Sequence, residues 1–515
     1  MQILAGLVFL LICYGPLLSL VDRAISESVG KTTVFWNARR VTLLWHSLLF
    51  STIVALAASF TGFLSAAFTS KWRSKTGRLL AWLPLVFLAL PPYIHALSWT
   101  GLLQQLNVWL SGWRGVTLHL TGWGLAGWVQ MLSLVPIAYG IQLIGLLSLE
   151  SGHIDTARCF IADKKIASRI IFPLTKPFQV LSFVVIFLFS LGDYSIPYLF
   201  SVNVYSLEIF TGFSASADLM ATLKTALPVM AAALPLILWM LTLIRQVALK
   251  PAFLSEEKET FFRWPLWFRL LQKAAVVLLL VQILVPLIVI MLLNGSASDL
   301  FTSIVDGRQE TIYSLKLAFC TALAAIPISY LLARARKNWI FWLVLLFPLS
   351  FPASFVGIGE IALWNSVFGG FLYGTDWIPW LANLARFLPL AVLVMSALAG
   401  TLDPDMIETT RLFQRSALRR ILQIYLPLIM PALFVSFILV FVFSLGELSA
   451  TMLVLPPGRS TLTLRIFNFL HYGSPQSVAG LSLMLVILAI LAAGIAFYFW
   501  NQWRNLLPDN GDQTG

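Results

Sequence analysis

A chain of 515 residues with 59% hydrophobic and only 11% charged residues, and a mean hydropathy of +0.88, carries more apolar surface than a soluble fold can bury. That composition excludes a soluble enzyme and indicates a polytopic membrane protein. The net charge of +12 would suit nucleic acid in a soluble protein. Here the basic residues concentrate in alternate loops, as the positive-inside rule places them, so no nucleic-acid partner is expected.

Windows of roughly 20 apolar residues, enough to cross a ~30 Å hydrocarbon core, occur about twelve times. In chain order the expected spans are 3–21, 41–68, 79–99, 122–148, 177–200, 224–244, 273–294, 312–333, 339–363, 384–402, 429–455 and 478–500. The first segment has no basic region before it and no small-residue cleavage site, so it is read as a span and not as a signal peptide. Basic clusters at Lys71 to Arg78, Lys164 to Arg169, Arg245 to Arg269, Arg334 to Lys337 and Arg411 to Arg420 assign those loops to the cytoplasm. With an even number of spans both termini lie inside too, although Arg23, Arg39 and Arg40 run against the rule. Cys13, Cys159 and Cys320 are not paired by spacing, and no two of the five histidines stand at i, i+4. Neither a disulfide framework nor a metal site is expected.

The polar stretch at about 246–270, with Pro251, the run Ser255-Glu256-Glu257-Lys258-Glu259 and Arg263, separates two runs of six spans. The expected units are 1–248, a cytoplasmic linker 249–270, and 271–515. Because six is even, both halves enter from the same side. They form a parallel repeat about an axis near the membrane normal and are expected to pack as a pseudo-dimer.

The repeat is written in the residues. Ile154-Asp155-Thr156-Ala157-Arg158, then Phe172-Pro173, then Ser190-Leu191-Gly192-Asp193 returns about 254 positions later. There it reads Ile407-Glu408-Thr409-Thr410-Arg411, Leu426-Pro427 and Ser444-Leu445-Gly446-Glu447. Leu90-Pro91-Pro92 is answered by Phe347-Pro348 and Phe351-Pro352, and Leu207-Glu208-Ile209-Phe210 by Leu464-Arg465-Ile466-Phe467. Proline inside a span removes a backbone hydrogen bond that lipid cannot replace, so Pro91, Pro92, Pro348 and Pro352 mark spans 3 and 9 as lining elements or as packing kinks.

The segment Glu408-Thr409-Thr410-Arg411-Leu412-Phe413-Gln414, followed by Ile424-Tyr425-Leu426-Pro427, resembles the "EAA" loop of permease subunits in binding-protein-dependent ABC importers. In that pattern both alanine places are Thr here, and the glycine place is Gln414. The first copy, about 150–176, departs further: Phe172 replaces Leu before Pro173, and one residue fewer lies between. The second copy occupies about 403–429. The resemblance implies short cytoplasmic helices that dock, through Asp155 with Arg158 and Glu408 with Arg411, in grooves of an ATPase subunit dimer, with the Phe-Pro or Leu-Pro step ending the helix at the membrane. With the outer segment Leu462 to Asn468 and His471-Tyr472-Gly473, the chain is similar to the fused twelve-span permeases of the ferric-iron and thiamine type. That implies an all-α fold of two tandem six-helix MetI-like halves in the bacterial inner membrane, fed by a solute-binding protein on the outer face.

A phosphate-binding loop would need Gly, four residues, then Gly-Lys-Ser/Thr. Gly30-Lys31-Thr32 lacks the upstream glycine, so no ATP or other cofactor is expected on this chain, and a separate subunit is expected to hydrolyse ATP.

Asp193 and Glu447 lie in apolar stretches, where an ionised carboxylate costs about 2.5–3.5 kcal/mol at a helix centre. Each follows glycine, Gly192 or Gly446, whose bare backbone would admit a close neighbour, and each is followed two positions on by Ser195 or Ser449. The expected role is a gate or transient solute site on a central passage; the competing reading is helix packing alone. Glu360 and His95 are further polar candidates near the outer end, and Trp377 with Trp380, and Trp264 with Trp267, read as interface belt.

Two functions compete. The first is the permease of an ABC importer, with iron(III) preferred because the outer segment reads most like that branch, and thiamine or a phosphonate as alternatives. The second is a two-half secondary transporter driven by protons through Asp193 and Glu447. The duplicated inward loop has no counterpart in the second class. A membrane enzyme lacks any paired acids, metal cluster or nucleophile constellation on one side.

Overall fold

The computed structural model describes residues 2–27, 37–71, 84, 90–114, 121–149, 151–161, 163–247, 264–294, 296–334, 339–366, 370, 372–399, 416, 419, 424–473 and 475–506. Every regular element among them is helical. The first run holds α1 (Gln2–Glu27), α2 (Ala38–Thr69), α3 (Pro92–Arg114), α4 (Trp123–Leu147), the short α5 (Ser151–Arg158), α6 (Phe172–Gly192), α7 (Ser195–Leu199), α8 (Tyr205–Ser216) and α9 (Leu219–Val247). The second begins with α10 (Leu266–Asn294), α11 (Ala297–Asp306), α12 (Arg308–Ala333), α13 (Trp339–Leu346) and α14 (Ala353–Ser366). It continues with α15 (Trp377–Ala399), α16 (Leu426–Leu445), α17 (Thr451–Val454), α18 (Leu462–Tyr472) and α19 (Pro475–Leu506).

Among the described residues, 8 helices are long and apolar enough to cross a membrane; α13 and α14 pass the same test only as a pair bent by 99°, a broken span or a re-entrant loop, and Ala432–Leu445 and Gln476–Ala492 are shorter apolar helices. These match every expected span but the third, most of which lies outside the described residues; its end continues as α3 to Arg114. The 99° bend follows from Pro352, which has no N–H to continue the ladder after the 3-10 turn Phe347–Ser350.

Two spans end earlier than their hydropathy suggests. Span 5, expected to reach 200, stops at Gly192, and span 11, expected to reach 455, stops at Leu445. Apolar composition continues past both points, so hydropathy runs on. The backbone does not: Asp193 is extended (φ -91, ψ 134), and a new short helix starts after each acid.

The two runs repeat one packing scheme. Helix α2 packs on α4 and α6 as α12 packs on α15 and α16, and α9 lies on α6 and α8 as α19 lies on α16 and α18. The first helix of each run crosses over. Helix α1 packs on α12, α14 and α15, and α10 on α2, α3 and α4. Lipid offers no hydrophobic drive for such contacts, so close packing of small residues has to supply it. A Cβ on Gly62 would come within 2.6 Å of Ala138, and one on Gly359 within 2.6 Å of Pro16. Tyr14 Oη donates to the Val344 carbonyl at 2.6 Å and fixes α1 against α13.

Trp264 is not an interface residue. It is 5% exposed and stacks on Phe268 with ring centroids 4.4 Å apart, while Trp267 and Trp377 are exposed as an interface belt requires. Glu360, 1% exposed, accepts the Trp364 indole N–H at 2.6 Å, and His95 is likewise buried.

Candidate translocation site

Helices α6 and α16 carry the same sequence step, and each ends in the same corner. Asp193 Oδ1 accepts the Ser195 backbone N–H at 3.0 Å and its hydroxyl at 2.7 Å. Glu447 Oε1 accepts the Ala450 N–H at 2.8 Å. Each carboxylate thus accepts a backbone N–H where the chain turns into the short helix that follows, Ser195 at the start of α7 and Ala450 just before α17. Behind the corners, Gln130 Nε2 donates to the Ser190 carbonyl at 3.4 Å and Asn383 Nδ2 to Ser444 Oγ at 2.8 Å. The outer helices are tied alike: the Tyr205 N–H donates to Ser47 Oγ, and the Leu462 N–H to Ser314 Oγ, both at 2.8 Å.

The corners meet at one cavity of about 110 Å³ between the two runs. Asp193, Ser195, Gly446, Glu447, Ser449 and Pro92 all line it, together with Pro91, Gln130, Ser133, Phe189, Arg386 and Phe443. Gly192 and Pro352 do not line it; they face each other beside it, as Gly446 faces Pro91. These contacts are reciprocal, the glycine of one run lying on the proline break of the other. A Cβ on Gly192 would lie 3.6 Å from Pro352, and one on Gly446 3.7 Å from its nearest neighbour. Both are ordinary contacts, so glycine is not sterically required there, contrary to the expectation of a close approach.

Phe189 and Phe443 occupy matching places in the repeat, and they stack on each other with centroids 5.3 Å apart. Two equivalent residues touch in this way only where the two runs meet face to face. Phe387 stacks on Phe443 at 5.6 Å and extends the aromatic floor.

Sequence reasoning missed Arg386. It stands on α15 three places after Asn383, where α4 has Ser133 three places after Gln130. Its guanidinium pairs with Glu447 Oε2, and Glu447 is 5% exposed. The signal was present: one arginine inside an apolar run requires a partner within the bundle. Placing the start of span 10 at 384 left that arginine at an apparent edge.

At the opposite end of α6 lies the first inward loop. Asp155 and Thr156 on α5 are exposed, Ala157 and Arg158 are half-buried, and Arg158 lies 3.9 Å from Asp155. Glu408, Thr409, Thr410, Arg411 and Gln414 of the second copy lie outside the described residues. The Phe172-Pro173 step does not end a helix. The π-helical turn Ala167–Ile171 leads into α6, and Pro173 sits in its first turn, where no N–H is needed. Ile424 and Tyr425 make the same π turn before Leu426 and Pro427 at the start of α16. In the first copy the helix therefore runs through the step without a break, from Ala167 to Gly192.

No family model matches the chain. The ferric transport system permease protein FbpB of Actinobacillus pleuropneumoniae is 23% identical over 496 residues, covering 89% of this chain and 71% of that protein. A protein of Salmonella typhimurium described as a 2-aminoethylphosphonate transport system permease, PhnV, is 28% identical over 203 residues, 39% of this chain and 73% of its own length. The putrescine transport system permease protein PotI of Escherichia coli K12 is 25% identical over 195 residues, 36% of this chain and 69% of its own length. The long match runs through both halves, whereas the shorter proteins match little more than a third of the chain. With its helical, multi-span fold, the chain is similar to permease subunits of binding-protein-dependent ABC importers, and over most of its length to the ferric type.

Proposed function

We propose that this chain is the whole membrane pathway of an ATP-driven importer in the bacterial inner membrane, built from halves 1–248 and 271–515 joined by 249–270. An ATPase subunit dimer docks on the cytoplasmic face, and a solute-binding protein delivers solute from the outside. The observation that carries this reading is the cavity where the two repeated acid corners meet over the Phe189–Phe443 stack. Polar groups lining a cavity at span ends, sealed by an aromatic pair contributed equally by both runs, support a passage closed at its centre. Alternating access then requires the α6 and α16 ends to part, which unstacks the phenyl rings.

The inward loops supply the push. Exposed Asp155 and Thr156 on α5 are the docking surface of the first copy, and Glu408, Thr409, Thr410, Arg411 and Gln414 that of the second. The helix running from Ala167 to Gly192 links the membrane end of the loop to the corner, and the turn at Cys159 to Ile161 separates it from α5, so a push on α5 reaches Asp193 through that turn. Iron(III) is the proposed solute because the relative matched through both halves is a ferric permease. The phosphonate and putrescine relatives match 39% and 36% of the chain.

Purification of the tagged full chain from native membranes tests the reading. An ATPase is expected to co-purify with wild type and to be lost from Asp155→Ala with Glu408→Ala, together with uptake of iron(III). A chain that comes alone and carries proton-coupled flux is instead a two-half secondary transporter with Asp193 as its proton site.

A further inference from the structure

We infer that the cavity between the corners is a selective site for a cationic group, formed by Asp193 and Gln130, and that Arg386 withholds Glu447 from the solute. The inference rests on the importer reading for its purpose, but the site stands on its own geometry.

Three charged side chains line the cavity: Asp193, Arg386 and Glu447. The last two form an ion pair and cancel, which leaves the charge of the cavity to Asp193. Asp193 commits Oδ1 to Ser195, and Oδ2 has no hydrogen bond among the described residues. Gln130, 2% exposed, spends its amide N–H on Ser190, and its Oε1 has no partner. The N-terminal side of the cavity therefore presents a carboxylate oxygen and an amide oxygen without matching donors. The buried Gln130 Oε1 left alone is costly, and a cation held between it and the half-buried Asp193 carboxylate would satisfy it.

Oxygen acceptors of this kind suit hard metal cations and ammonium groups alike. An anion would meet the Asp193 carboxylate and the one guanidinium already engaged. Because the two sides of the cavity differ, the solute has one favoured wall, and the passage is asymmetric despite the repeat.

The test uses the full chain in nanodiscs of zwitterionic lipid, with terbium(III) as probe. Tyr93 lines the cavity and Tyr194 adjoins Asp193, so both can sensitise its emission. A sensitised component is expected in wild type, weakened about tenfold or more by Asp193→Asn, retained by Asp193→Glu, and weakened also by Gln130→Met, which keeps the volume. Glu447→Gln combined with Arg386→Met is expected to leave it unchanged. Displacement by putrescine assigns the site to cationic charge in general; displacement by lanthanum(III) alone assigns it to metal cations. Identical isotherms for wild type and both Asp193→Asn and Gln130→Met overturn the inference, as does phosphate binding that depends on Arg386. Co-purification of an ATPase is read in the same preparations, so failure of the cation site and failure of the importer reading are separate results.

Discussion

The Asp193 corner and the Glu447 corner follow one plan: a span ending next to Gly-acid, a carboxylate accepting a backbone N–H two or three residues on, an amide behind it, and a proline break of the other run in front. The difference in charge between them comes from one lining residue, Ser133 against Arg386. With arginine opposite, the acid becomes part of the protein's own bonding. With serine opposite, its charge is left to the cavity. The repeat keeps the geometry of the corner while the electrostatics differ, so one acid is engaged within the protein and the other is left to the cavity.

The largest effect that can break this comparison is on the paired side. Arg386→Met alone leaves a buried carboxylate uncompensated and is expected to cost about 3–5 kcal/mol, seen as loss of membrane level and of detergent stability. Adding Glu447→Gln should recover most of it. Equal loss in single and double variants would remove the structural role assigned to the pair. Next, Ser133→Arg makes the N-terminal corner resemble the C-terminal one. Normal membrane level with uptake down about tenfold is expected, since the added guanidinium neutralises Asp193; unaltered uptake would put the solute elsewhere.

Smaller changes sharpen the shared part of the plan. Asn383→Leu removes a donor from Ser444 and is expected to lower thermal stability by about 1 kcal/mol with no change in solute preference. Gly192→Ala and Gly446→Ala are expected to fall within about 0.5 kcal/mol of wild type, because a Cβ fits at both places. A strong defect in either would show that the corner closes more tightly during transport than it does here.

Much of this was legible in the residues, and the failures have identifiable causes. Hydropathy located the spans because the hydrocarbon core sets their length, and the repeat brought Asp193 and Glu447 to one place because equivalent elements of a pseudo-symmetric pair converge near its axis. Hydropathy could not end span 5 at Gly192, since Ile196 to Phe200 is as apolar as the helix before it. Motif resemblance marked Pro173 as a stop, yet a π turn makes it a continuation. Arg386 escaped because its importance depends on a partner 61 residues away, which periodicity does not report. The crossing of α1 and α10 into the opposite runs is equally invisible to any local pattern.

The outer helices hold one more consequence of the repeat. In the first run Glu208 on α8 binds Arg39 at 3.0 Å and Arg40 at 3.5 Å, at the head of α2. In the second run the polarity is reversed: Arg465 on α18 binds Glu310 at 2.5 Å, and the Asp306 carbonyl, at the head of α12. A chain that says the same thing twice is at risk, as it leaves the ribosome, of docking a late hairpin on the early half. Here that error sets Arg465 against Arg39 and Arg40, and Glu208 against Glu310. Like charges would oppose the wrong seat, so the inverted pairs distinguish the two outer contacts that the repeat otherwise makes alike.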